Sequence, residues 1–220
     1  PDVDWYNLIM RDLTPQKQAN INISGGSKYV RYFVSGSYLR QEPSYNFANN
    51  NAYGVKYKFD RYNFRSNVDI TLNKNLDLQV DLASRLENRT GPRQDRNDND
   101  YFFILLSQIG NGITPVYNPD KSLAIGQLPN EYANPYGVLT QSGYYDDFWH
   151  STNGNIAVTH KLDFITRGLK IRGLFSFENY GNISFVNYQN FDSFRYTEDK
   201  ITGDPIYTRY STASSISKDG

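Results

Sequence analysis

The 220-residue chain has no cysteine, one methionine and two tryptophans. Without cysteine there are no disulfides, no thiolate metal sites and no cysteine nucleophile. The same absence fits an oxidising compartment, where a stray thiol is a liability. Charge of one sign is missing too: 23 basic and 23 acidic side chains cancel. That balance is against a nucleic-acid footprint, which needs a basic excess. Mean hydropathy is −0.67. The longest apolar run is only Tyr101 to Leu106, far short of the ~20 residues of a transmembrane helix. What is abundant is aromatic: 19 Tyr and 13 Phe. A chain this polar and this aromatic is either a sugar-handling β protein or a membrane β-barrel.

Pro1 opens without Met, basic residues or an apolar stretch, so no signal peptide is expected there, and Ser-Lys-Asp-Gly closes no strand. The expectation is a piece of a larger protein.

Alternation with period two recurs along the chain, and helical periodicity is nearly absent. From Arg61 to Leu72, the residues Tyr62, Phe64, Val68, Ile70 and Leu72 fall on one face. Arg61, Asn63, Arg65, Asn67, Asp69 and Thr71 fall on the other. After Asn73-Lys74-Asn75 the pattern resumes, with Leu76, Leu78, Val80, Leu82 and Leu86 against Asp77, Gln79, Asp81, Arg85 and Glu87. Residues opposite each other in a hairpin share a face, so paired numbers must here sum to an even value. A loop over 73–75 meets that demand. It pairs Leu72 with Leu76, Val68 with Val80, Asn67 with Asp81 and Arg61 with Glu87.

Four more strands follow from the same reading. Ala19, Ile21 and Ile23 form one row; Val30, Tyr32, Val34 and Tyr38 the next. Ile156, Val158, His160, Leu162 and Phe164 form another. In the last, Leu169, Ile171, Phe175 and Phe177 oppose Lys170, Arg172, Ser176 and Glu178. Parity switches between these last two, which predicts a four-residue loop over 165–168 with Asp163 opposite Lys170. The expected strands cover about 16–25, 28–42, 60–73, 75–88, 152–164 and 168–180. Segments 1–15, 43–59, 89–150 and 181–220 are left as long connections.

Short turns and long connections alternate. That is the pattern of an outer-membrane barrel, with short periplasmic turns and long external loops; a soluble sandwich spaces its turns about every 8–12 residues. In the longest connection, Asp100 is placed to cap a short helix from Tyr101 to Ile109. Val116 to Asp120 and Ala133 to Gly137 read as turns. A further hairpin is expected around Thr202-Gly203-Asp204.

At this point the residues resemble a family, the SusC/RagA-like TonB-linked outer-membrane transporters of Bacteroidota. The resemblance rests on Asp4-Trp5-Tyr6, on Asn22-Ile23-Ser24-Gly25-Gly26-Ser27, and on the strand from Tyr29 to Tyr38. It continues through Arg61-Tyr62-Asn63-Phe64-Arg65-Ser66-Asn67 and Asn75-Leu76-Asp77-Leu78, covering roughly 2–210. It implies an all-β fold: about six antiparallel strands of a 22-stranded transmembrane barrel, whose plug and TonB box precede Pro1. It also implies import of glycans or peptides, a SusD-like lipoprotein as lid, and coupling to the TonB complex through the missing N-terminal region.

On that reading the lipid-facing residues are Tyr62, Phe64, Val68, Ile70, Leu72, Leu76, Leu78, Val80, Leu82, Ile156, Val158, Leu162, Ile171, Phe175 and Phe177. The lumen-facing ones are Arg61, Arg65, Asn67, Asp69, Asp77, Asp81, Arg85, Lys170 and Arg172. Tyr132, Tyr136, Tyr144, Tyr145, Phe148 and Trp149 are candidates for contact with substrate or lid, although packing of the loop against its neighbours or the lid is a plainer account than sugar stacking. Tyr38, Tyr62, Phe175 and Phe177 suit an aromatic girdle.

Catalysis is not expected. His150 and His160 have no serine and carboxylate spaced to join them in a triad. Nor is a cofactor expected. Asp95, Asp98 and Asp100 look like calcium ligands, but an EF-hand needs Gly at its sixth position and Glu at its twelfth. Here those are Asp100 and Leu106, so a solvated, helix-capping loop is the better reading. The competing function is a secreted soluble β protein that binds or cleaves glycans.

Overall fold

A computed structural model describes residues 3–47, 51–93, 106–107, 109, 114–125 and 134–211. Eight strands and two helices appear among them: α1 (Trp5–Ile9), β1 (Gln16–Gly26), β2 (Val30–Gln41), β3 (Lys58–Asn73), β4 (Leu76–Pro92), α2 (Pro135–Gln141), β5 (Gly143–Lys161), β6 (Lys170–Tyr188), β7 (Asp192–Glu198) and β8 (Pro205–Ser211). β1 to β6 form one antiparallel sheet in chain order, and β7 and β8 form a separate hairpin.

The register between β3 and β4 follows from parity: Val68 faces Val80, Asn67 faces Asp81 and Arg61 faces Glu87. The turn differs. Asn73, not Leu72, pairs with Leu76, and Leu72 is the extra residue of a bulge. The Asn73 side chain accepts from the Asn75 N–H at 2.9 Å, and this local bond tightens the turn to Lys74 and Asn75.

The β5–β6 turn is also corrected. Lys170 pairs with Lys161, two positions from the expected Asp163. The Asp163 carboxylate instead accepts from Gly168 N–H at 2.7 Å, inside a loop closed by a Leu162 N–H to Leu169 bond. Gly168 stands at φ +84, which a side chain would resist. Leu162 therefore lies in the turn rather than in the strand row.

β4, β5 and β6 run well beyond 75–88, 152–164 and 168–180, extending into what was expected to be loop. Alternation fails as a signal there because polar residues enter the apolar row: Asn88, Thr90, Asp146 and Asn187. Ala133 to Gly137 is a further correction. Asn134 caps α2 by accepting from Tyr136 and Gly137 N–H, Pro135 starts it without an N–H to satisfy, and Val138 and Leu139 are buried beneath. Of the helix expected over 101–109, only Leu106, Ser107 and Ile109 are described; Leu106 and Ser107 are helical.

The hydrophobic core is not under the sheet. Trp5, Ile9, Tyr45, Tyr57, Ile109, Leu123, Val138, Leu139 and Phe191 form one cluster, all from the long connections. The sheet's apolar face stays bare: Ile21, Tyr62, Phe64, Ile156, Ile171 and Phe175 are all exposed. Among the described residues no second sheet covers it.

Candidate functional site: the polar face of the sheet

Cross-strand pairing turns the polar face into a grid. One row reads Gln18, Leu39, Arg61, Glu87, Trp149, Asn182; the next Asn20, Ser37, Asn63, Arg85, Ser151, Tyr180; the third Asn22, Ser35, Arg65, Ala83, Asn153, Glu178. Its middle is an open hollow of about 680 Å³, within the ~300–1,000 Å³ range of ligand sites. The expected inward residues Arg61, Arg65, Asn67, Asp69, Asp77, Asp81, Arg85, Lys170 and Arg172 all share this face.

Towards the short turns the charges neutralise one another. Lys161 Nζ lies 2.9 Å from Asp77, which also accepts from Thr71 Oγ1 at 3.0 Å. Asp81 accepts from Asn67 at 2.8 Å and from Gln79 at 3.0 Å. Arg172 donates to Gln79 at 3.2 Å. Arg31 reaches Asp69 at 3.4 Å.

Higher on the face the balance changes. Glu87 Oε1 accepts from Arg61 Nε and Arg85 Nε, each at 2.7 Å. Two guanidiniums thus share one carboxylate, and the Arg61 group also stacks 5.1 Å from the Phe59 ring. Arg65 has no side-chain partner among the described residues.

The five described aromatic candidates separate into three environments. Tyr136 and Tyr144 pack against the connection core, Tyr136 against Phe47 and Tyr117 at 5.0 and 5.7 Å. Burial pushes the Tyr117 phenol up to about 12, with the Tyr136 hydroxyl adding to it. Tyr145 is buried and lies over its cross-strand partner Gly91. Phe148 sits on the apolar face, 6.3 Å from His150. Trp149 alone is exposed on the polar face, its ring 5.7 Å from Tyr180. Tyr132 lies outside the described residues. Tyr180 was not singled out from sequence, although it continues the row of Arg172, Ser176 and Glu178. Packing thus claims Tyr136, Tyr144 and Tyr145, and of the described candidates Trp149, beside Tyr180, is the one exposed on the polar face.

His150 shares a 3.0 Å hydrogen bond with Asn179, and the His160 ring lies 6.4 Å from Phe164. Among the described residues no three His, Cys, Asp or Glu groups converge on a metal position; Asp95, Asp98 and Asp100 lie outside them.

On the apolar face the row Ala19, Tyr38, Tyr62, Leu86, His150, Gly181 is followed by Lys17, Arg40, Asp60, Asn88, Phe148, Ile183. Four strands therefore pass from apolar to polar at one level. The Tyr38 and Tyr62 rings meet there at 4.9 Å, and the Tyr38 hydroxyl donates to Asp60 at 2.8 Å.

No protein-family model matches the chain, and no curated protein sequence does. Solved structures that share its fold include two of a peptide transporter. The RagAB peptide importer in the closed-closed state superimposes with a TM-score of 0.54 at 17% identity, over 89% of this chain and 20% of that one. A second structure of the RagAB peptide transporter gives 0.56 at 20% identity, over 93% and 21%. At such identities the likeness concerns the fold alone. The chain spans about a fifth of the length of the chains it matches.

Proposed function

We propose that this chain is a wall section of an outer-membrane β-barrel importer that takes up glycans or peptides with a SusD-like lipoprotein as lid. The carrying observation is the bare apolar face and its sharp upper border. From Leu76 to Leu86 the row extends ten residues, about 33 Å of strand at ~3.3 Å per residue, and a tilt of ~40° brings that to about 25 Å, the height of a barrel's apolar band. Lys17, Arg40 and Asp60 then stand above the border, with the Tyr38–Tyr62 pair as its aromatic girdle. Support comes from the fold shared with RagAB, whose members are transporters. The connection core around Trp5 and Tyr57 faces outside, where a lid would sit. The grid lines the lumen. Energy coupling would come through the TonB complex, from a region outside this sequence.

A soluble glycan-binding protein would have to cover the apolar face. The test is single cysteines in the full-length protein, in membranes. Those at Ile70, Leu78 and Ile171 should react with lipid-phase probes, and those at Asn67, Asp81 and Arg172 with water-soluble reagents only. Labelling without this alternation would end the barrel reading.

A further inference from the structure

The upper polar face holds more positive charge than its own carboxylates answer. Arg61, Arg65 and Arg85 stand in adjoining positions on β3 and β4: Arg61 opposite Glu87, Arg85 opposite Asn63, and Arg65 opposite Ala83, diagonal to Arg85. Among the described residues, Glu87 is the one carboxylate bonded to any of them. Asp81, also diagonal to Arg65, is taken up by Asn67 and Gln79. Glu178 ends Arg65's row three strands away, about 14 Å at ~4.8 Å per strand. A guanidinium offers five donors in a planar fork. Glu87 uses Nε of Arg61 and two N–H groups of Arg85, so among the described residues most donors of the three side chains remain unspent, and Arg65 spends none.

We infer that Arg65 and Arg85, which line the hollow, with Arg61 in the adjoining row, bind a side-chain carboxylate of an acidic peptide lying there. This rests on the importer reading and adds a substrate class to it. The surroundings suit a peptide: Asn20, Asn22, Asn153 and Ser151 line the hollow with groups that pair with backbone amides, and the exposed Trp149–Tyr180 pair stands in the rows of Glu87 and Ser151, in reach of an apolar side chain. Charge-assisted bonds to a carboxylate are the strong ones, and a preset arginine cluster loses little freedom on binding.

The test uses the purified full-length protein and three probes: tri-glutamate, tri-glutamine and trigalacturonate, titrated by calorimetry. Tri-glutamate should bind best. Arg65→Gln and Arg85→Gln should each weaken it about 10–100-fold, the equivalent of one lost charge-assisted hydrogen bond, without altering tri-glutamine binding. Arg65 bonds nothing in the sheet, so Arg65→Gln decides the matter should Arg85→Gln misfold. Equal affinity for tri-glutamate and tri-glutamine, or unchanged affinity in the variants, overturns the inference. Preference for trigalacturonate transfers the cluster to acidic sugars and overturns the peptide assignment. Variants that melt earlier with unchanged peptide affinity show that the arginines hold an internal carboxylate, which also overturns it. Heat-modifiable mobility and vesicle insertion are measured alongside: a protein that inserts but ignores tri-glutamate refutes only this inference, and one that does not insert refutes the importer reading.

Discussion

The ring of Phe177 lies across the backbone of its cross-strand partner Gly154, so closely that a Cβ there would meet ring carbons at 2.6 Å. The same pairing of a glycine with a covering ring occurs at Gly25 and Tyr32, Gly91 and Tyr145, and Gly181 and His150, each directly opposed. A glycine in a strand exposes backbone and adds flexibility; a ring laid over it shields the ladder and fixes register.

Gly154→Ala should displace Phe177 and lower stability by roughly 1–3 kcal/mol, the cost of overpacking. The Asp81 carbonyl at 3.1 Å adds a backbone obstacle. Urea unfolding in vesicles measures it, and Phe177→Ala in the same background should recover part of the loss. A neutral Gly154→Ala would mean the ring does not hold this position.

A charge on the apolar face gives a second measure. Val80→Arg should cost about 2–4 kcal/mol if that face meets hydrocarbon, whereas Gln79→Arg, one residue away on the polar face, should cost little. Equal effects in a folding titration would contradict the assignment of faces.

Register was legible in the sequence because parity permits few solutions: Val68 and Val80 cannot share a face unless their numbers sum to an even value. Where a local hydrogen bond competes with the ladder, parity is silent. Asn73 tightens one turn and Asp163 widens the other, and neither choice is visible in an apolar pattern. The overhanging ends of β4 to β6 were hidden by polar residues in the apolar row. The arginine cluster was half legible. Its members were assigned to the inward face, but a chain-wide balance of 23 against 23 charges masks a local excess that only the cross-strand neighbours reveal.

The β7–β8 hairpin carries a pH dependence. The Asp199 carboxylate accepts from Thr202 N–H at 3.0 Å and Ile201 N–H at 2.7 Å, which holds its pKa below the usual carboxylate value. A depressed folded pKa gives stability present above the unfolded value of ~3.9 and lost as pH falls through the folded one. Hydrogen exchange at Ile201 and Thr202, corrected for intrinsic rates, should show constant protection above about pH 5 and fading protection below ~3.9. Asp199→Asn should flatten that profile, and a profile unchanged by the substitution would refute the assignment.

Asn134 tests whether the connection core opens independently of the sheet. Its buried amide donates to the carbonyls of Val116 and Ala124, both at 2.9 Å, while its oxygen caps α2. One side chain thus ties the 114–125 segment to the helix that supplies Val138 and Leu139 to the core. Asn134→Ala removes the cap, at about 1 kcal/mol, and leaves buried carbonyls without a donor, at about 1–3 kcal/mol. The sheet's own ladder does not use Asn134, so the loss should stay local, as cooperative units of a protein open separately. Exchange protection and protease resistance should fall across 114–125 and 134–141 while β3 and β4 amides keep theirs. Uniform loss across the sheet would show instead that the core and the strands unfold as one unit.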